Sequence, residues 1–104
     1  MINTKVSSSL LKRLMRDREG NVVFRSAIWA PSDKTRIVSV YGYTGDRTPS
    51  NLLLWRGDFD RYQTPPDELD RIAANAVLLT AMYVGVSDFT TRRVVVLDKK
   101  GLIV

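Results

Sequence analysis

"DELDRIAANAVLLTAMYVGVSD", residues Asp67–Asp88, keeps its charges at its two ends, and nothing between Arg71 and Asp88 ionises near neutral pH. Such a run reads as a membrane span, a core helix or a docking face. The stretch from Ile72 to Ser87 is shorter than the roughly 20 apolar residues that a spanning helix needs. It also contains Asn75, Thr80 and Gly85. Its start carries helix signals: Thr64 is placed to cap, Pro65 suits the first helical position, and Asp67 and Glu68 suit the positive end of the helix dipole. Leu69, Ile72, Ala76, Leu79 and Tyr83 recur at helical spacing, Ala73, Val77 and Thr80 widen that stripe, and Gly85 closes it. The segment 64–84 is therefore expected to be a core helix on a sheet. Ile72 and Leu79 should be almost fully buried against Phe24, Val38 or Val40.

Upstream lie the strands that such a helix requires. "VVFRSAIWA" (22–30) and "TRIVSVYGY" (35–43) are rich in β-branched and aromatic residues and flank the turn Pro31-Ser32-Asp33. "NLLLWRG" (51–57) is a third, shorter strand after the loop "TGDRTPS". Downstream, Asp98-Lys99-Lys100-Gly101 reads as a tight turn between a strand over 93–97 and a short one over 102–104. At the N-terminus, Ser7, Ser8 and Ser9 offer caps, and Val6, Leu10, Leu11, Leu14 and Met15 follow at helical spacing with Lys12, Arg13 and Arg16 between them. That is a short basic helix over 7–17. The order is α-β-β-β-α-β-β. Short turns between consecutive strands imply an antiparallel sheet of three to five strands with the long helix on one face, an α+β fold. The 104 residues are expected to form a single domain.

Composition removes several chemistries. The chain has neither Cys nor His, so disulfides, thiolate catalysis, Cys/His zinc sites and the usual general base are all excluded. The net charge of +5 is uneven: +4 over 1–25, −3 over 64–88 and +3 over 89–104. Basic ends of this kind suit nucleic acid or an acidic protein surface, and they argue against a DNA mimic. No apolar run near the N-terminus is long enough for a signal peptide, so the expectation is a cytoplasmic protein without a membrane segment.

Short motifs add little. Asp58 and Asp60 lie two apart on an extended chain and, with Asp46, offer oxygen ligands for Mg²⁺. A solvated strand end balanced by Arg56 and Arg61 explains the same residues. Gly42-Tyr43-Thr44-Gly45 matches the G-x-x-G clamp of KH domains, but that clamp joins two helices and this one follows a strand. There is no Walker loop, dinucleotide fingerprint or nucleophile elbow. No enzyme activity, metal or cofactor is therefore expected. The order helix, three strands, helix over 7–84 resembles the double-stranded-RNA-binding domain in topology alone. Asp67, Glu68 and Asp70 stand where that family places phosphate-binding basic residues, and the family is not assigned.

The period of two divides the strands into unequal faces. One collects Val22, Phe24, Ser26, Ile28, Val38, Val40, Leu52 and Leu54, and suits the helix. The other collects Arg25, Trp29, Ile37, Ser39, Tyr41, Tyr43, Leu53 and Trp55. Large apolar exposure marks interaction sites, and Trp, Tyr and Arg dominate binding hot spots. Arg25, Trp29, Tyr41, Tyr43 and Trp55 are thus the expected partner-binding residues. Three occupants fit this face: the chain's own 7–17 helix or a second subunit in a homodimer, a larger protein partner, or nucleic-acid bases stacked on the aromatics. For nucleic acid the candidate contacts are Lys12, Arg13, Arg16, Arg92 and Arg93. The favoured reading is a non-enzymatic protein-interaction module. Small Arg-rich chains without Cys or His resemble accessory proteins of phages and mobile elements that inhibit or modulate a larger host or defence complex. Nucleic-acid binding is the alternative.

Overall fold

In the computed structural model, which describes residues 12–44, 50–93 and 97–98, three consecutive strands are followed by one helix and two further strands. The strands are β1 (Val22–Ala30), β2 (Thr35–Thr44), β3 (Ser50–Asp60), β4 (Phe89–Arg93) and β5 (Leu97–Asp98), and the helix is α1 (Pro66–Val84). The spatial order is β3-β2-β1-β4, with β5 also on β1. β1–β2 and β2–β3 pair antiparallel. β4 and β5 both pair parallel to β1, with one residue gained in register between them.

The sheet is therefore mixed, which corrects the antiparallel expectation. The cause is the helix. β3 runs in the direction of β1, α1 brings the chain back across the sheet, and β4 must then run as β3 did. It takes the free edge of β1, because the other edge of β1 already holds β2. Of the expected turn over 98–101, Asp98 lies in β5, and its other residues and the strand over 102–104 lie outside the described residues.

At the opposite end of the chain the basic helix over 7–17 does not hold to its end. Residues 7–11 lie outside the described residues, and of residues 12–17 only Lys12 and Arg13 are helical. Leu14 and Arg16 bridge Thr44 and Val22 in extended conformation. The β1–β2 ladder stops at Phe24↔Gly42, which leaves backbone groups on the splayed strand ends. Met15 meets them: its N–H donates to the Tyr43 carbonyl at 2.8 Å and its carbonyl accepts from the Val23 N–H at 3.3 Å. Buried backbone groups need such partners, and here that need overrides helical periodicity. Leu14 is consequently buried over Gly42.

The core lies between the sheet and α1. Val22, Phe24, Val40, Ala76, Val77, Ala81 and Val84 pack around Leu14, while Ile28, Val38, Leu69 and Ala73 form a second cluster. Thr80 is buried too, and its hydroxyl donates to the Ala76 carbonyl at 2.7 Å. The buried stripe of α1 is thus Leu69, Ala73, Ala76, Val77, Thr80, Ala81 and Val84. The expectation for Leu79 fails, since it is 58% exposed, and Ile72 is only half-buried. The sheet supplies the bulk through Phe24, Trp55 and Phe59, so the helix approaches on its small side and turns Leu78, Leu79 and Met82 outward.

The helix start is also shifted by one residue. Pro65, not Thr64, occupies the cap position at φ −68°, ψ 161°, with no side-chain cap. A residue that precedes proline avoids helical ψ, so Pro66 holds Pro65 extended. The amides of Glu68 and Leu69 both donate to the Pro65 carbonyl at 3.0 Å. Gly85 ends the helix at φ 83°, a conformation glycine adopts without steric cost. No helix among the described residues is long and apolar enough to cross a membrane.

Candidate interaction face

Residues paired across neighbouring strands share a face of the sheet. The side turned away from α1 can therefore be built row by row. Ile37 pairs with Trp29, Ser39 with Ala27, and Tyr41 with Arg25. On the outer strand, Arg56 lies beside Ser39 and Leu53 beside Tyr41. On the far side, Arg92 lies beside Arg25. Ala27 and Ser39 form a floor only 2% exposed. Larger side chains rise on either side of it, and a hollow of about 270 Å³ opens between Trp29, Ile37, Tyr41, Leu53 and Arg56. Trp29, Ile37, Tyr41 and Tyr43 are half-buried, while Leu53 is 50% exposed.

Trp55 is not part of this face. Val40 pairs with Trp55 but Tyr41 pairs with Leu53, so Leu54 is an extra residue without a partner of its own. This β-bulge reverses the alternation of β3. Trp55 is carried to the helix side, where it packs against both core clusters. Gly57 follows on that side, and a Cβ placed there would lie 2.6 Å from the Trp55 ring and 2.8 Å from the Phe59 ring. The two rings close over the glycine. Gly42, from the G-x-x-G match, is likewise a packing glycine: a Cβ would come 2.5 Å from Leu14 and 3.2 Å from Leu54.

Two polar atoms on the open face are left over. Arg25 Nε and Trp29 Nε1 are shielded from water without a hydrogen-bond acceptor. Both belong to β1 and both point away from the helix. A buried donor without an acceptor costs about 1–3 kcal/mol. The Arg25 guanidinium lies 5.6 Å from the centre of the Tyr43 ring, a cation–π contact.

The basic residues expected for nucleic acid are divided. Arg92 joins Arg25 on the open face, and Arg16 meets Arg92 around a second hollow beside Tyr43. Lys12 and Arg13 are exposed and helical, immediately before Leu14. Arg93 pairs with Ser26, one position out of phase with Arg92. The Arg25–Arg92 pair could not be read locally, because it depends on a parallel contact between distant segments.

The acidic residues have other uses. Arg56 holds Asp58 through two hydrogen bonds of 2.9 and 3.2 Å. Asp60 lies 3.8 Å from Lys34, and its Oδ1 accepts the Tyr62 N–H. Arg61 turns instead to Asp33, which also accepts the Tyr62 hydroxyl at 2.7 Å. Those bonds hold the Asp33 carboxyl below the usual range, Tyr62 contributing most, and push the Tyr62 phenol up. The Arg56 hydrogen bond likewise lowers Asp58. Asp46 lies outside the described residues, and no group of three potential metal ligands gathers among those described.

No family model matches the chain, and no curated protein or solved structure matches it either. Its class rests on its own geometry: an α+β chain with one helix on a mixed sheet and an aromatic, arginine-lined face on the other side.

Proposed function

We propose that the chain is a non-enzymatic protein-interaction module that engages a larger partner through the sheet face opposite α1. The carrying observation is the pair of shielded donors, Arg25 Nε and Trp29 Nε1, on one strand of that face. A partner whose docking shifts these side chains and brings acceptors to the two donors relieves two unfavourable burials at once. The walls of Ile37, Tyr41 and Leu53 add apolar area beside them, and aromatic anchors in such hollows dominate binding energies. Modulation of a larger host or defence complex is the biological role proposed for this binding.

The test is capture of a partner by the intact chain, repeated with Trp29→Ala, Tyr41→Ala and, as a control on the far side, Leu79→Ala. A partner held by the wild type and the control but lost by both face variants supports the proposal. Equal capture by all four chains refutes it.

Nucleic acid is the second reading, favoured by the adjacency of Arg25 and Arg92 and by exposed Lys12, Arg13 and Arg16. Phosphate contacts release counterions, so such binding falls steeply with salt. A gel shift at two salt concentrations separates the readings.

A further inference from the structure

Arg25 and Arg92 are direct neighbours in the parallel β1–β4 ladder, so their side chains leave the same face one strand spacing apart. That spacing is about 4.8 Å. Like charges placed directly opposite destabilise a sheet. Among the described residues neither guanidinium has an acidic partner and Arg25 Nε has no acceptor. Arg16 joins them: with Met15, Asp17, Val23, Tyr43 and Arg92 it lines a hollow of about 300 Å³. One Arg16 nitrogen donates to the Gly20 carbonyl at 2.6 Å. Asp17 is the single carboxylate in that wall, and its Oδ1 already accepts the amides of Glu19 and Asn21 at 3.0 and 2.9 Å. Two lining guanidinium groups, with Arg25 beside Arg92, against one engaged carboxylate leave the site electropositive.

Guanidinium forks match both carboxylate and phosphate. The surroundings favour carboxylate. Single-stranded nucleic acid gains much of its affinity from bases stacked on free aromatic faces. Here Arg25 already lies over the Tyr43 ring, and Met15 and Val23 present aliphatic surface that suits the methylenes of an acidic side chain. The second shielded donor adds a direction. Trp29 follows Arg25 by four residues on the same face of β1, about 13 Å along the strand at the usual rise. An extended peptide repeats over that same distance. We infer that the hollow lined by Arg16 and Arg92, with Arg25 next to Arg92 in the ladder, binds side-chain carboxylates of an acidic, extended segment of the protein partner.

The inference deepens the proposed binding face and rests on it. Its test uses a fluorescein-labelled peptide of alternating Glu and Leu, the same peptide with Gln for Glu, and an oligothymidylate of equal charge, each titrated with the full chain by anisotropy. The Glu peptide should bind at least tenfold tighter than the Gln peptide and tighter than the oligonucleotide. Arg92→Gln, at an exposed position, and Arg25→Gln should each weaken it about tenfold. Lys34→Gln, an equal loss of charge at the distant hairpin turn, should leave it unchanged. Equal affinity for the Glu and Gln peptides, an unaltered Arg92→Gln, or tighter binding of the oligonucleotide overturns the carboxylate site. If the carboxylate site is overturned while partner capture still depends on Trp29 and Tyr41, the face stands and its anion site falls. If the peptide binds as expected while capture ignores Trp29 and Tyr41, the site stands and the aromatic face falls.

Discussion

The Tyr62 hydroxyl donates to Asp33 Oδ2 at 2.7 Å, joining residues 29 positions apart. Asp33 lies in the β1–β2 turn and Tyr62 in the link from β3 to α1. Arg61 strengthens the clasp from both sides: it pairs with Asp33, its guanidinium lies 5.7 Å from the Tyr62 ring centre, and its amide donates to the Lys34 carbonyl at 2.7 Å. Nothing in the local sequence announces this arrangement.

Its signature is in titration. The bond to Asp33 raises the Tyr62 pKa, so the folded-state contribution is complete below the ordinary tyrosine value of about 10 and is lost as pH rises through the raised one. Asp33 has the opposite sign. Its pKa is lowered, chiefly by Tyr62 and then by Arg61, so its contribution is present above the ordinary Asp value and lost as pH falls through the depressed one. Asp33→Asn should bring the Tyr62 midpoint down toward that of an ordinary tyrosine. The measurement is a tyrosinate absorbance titration, with Tyr62→Phe subtracted to isolate the one ring. An unchanged midpoint would mean that the hydroxyl bond does not persist in solution.

Gly57→Ala tests the closure of two rings. The added methyl meets Trp55 and Phe59 well inside van der Waals distance, and one ring must move. Overpacking of this kind costs about 1–3 kcal/mol. The urea midpoint should fall accordingly. A Gly57→Ala variant as stable as the wild type would place Trp55 elsewhere.

Two leucines on one helix make the next comparison. Leu69 is 4% exposed and Leu79 is 58% exposed. Leu69→Ala should cost about 2–5 kcal/mol. Leu79→Ala, at a surface site in a helix that tolerates either residue, should stay within about 0.5 kcal/mol. Denaturant unfolding of both variants decides, and the reverse order would rotate the helix back to the face that hydropathy suggests.

That rotation shows where sequence reading stops. β1, β2 and α1 were legible because their periodicities are long and their turn residues, Pro31 and Gly85, sit at the boundaries. α1, however, carries two apolar stripes. Counting hydrophobic bulk selects Leu79, whereas the sheet already supplies Phe24, Trp55 and Phe59 and takes the helix on the side where Ala73, Ala76 and Ala81 alternate with Leu69, Val77 and Val84. The parallel pairing of β4 is non-local and has no signature in either segment. Arg25, Trp29 and Tyr41 fell on one face because the β1–β2 ladder alternates without interruption from Phe24↔Gly42 to Trp29↔Ile37. Trp55 fell on the wrong side because a single unpaired residue, Leu54, inverts every position after it.

The two tryptophans should consequently separate stability from binding. Trp55 packs on both core clusters, whereas Trp29 stands on the open face beside Ile37. Removing a large aromatic from a core costs about 3–5 kcal/mol, so Trp55→Ala should lower the urea midpoint sharply and deplete folded protein. Trp29→Ala should leave a folded chain, since its ring is no part of either cluster, and should remove one shielded donor. It should weaken partner binding by at least about 1–2 kcal/mol, as hot-spot truncations do. Lys34→Ala and Arg71→Ala serve as controls, because these charges are exposed and such charges contribute only about 0–1 kcal/mol. Partner affinity and unfolding are measured on the same four variants. Should Trp29→Ala unfold the chain while Trp55→Ala spares it, the bulge at Leu54 is misplaced and the two faces of β3 exchange roles.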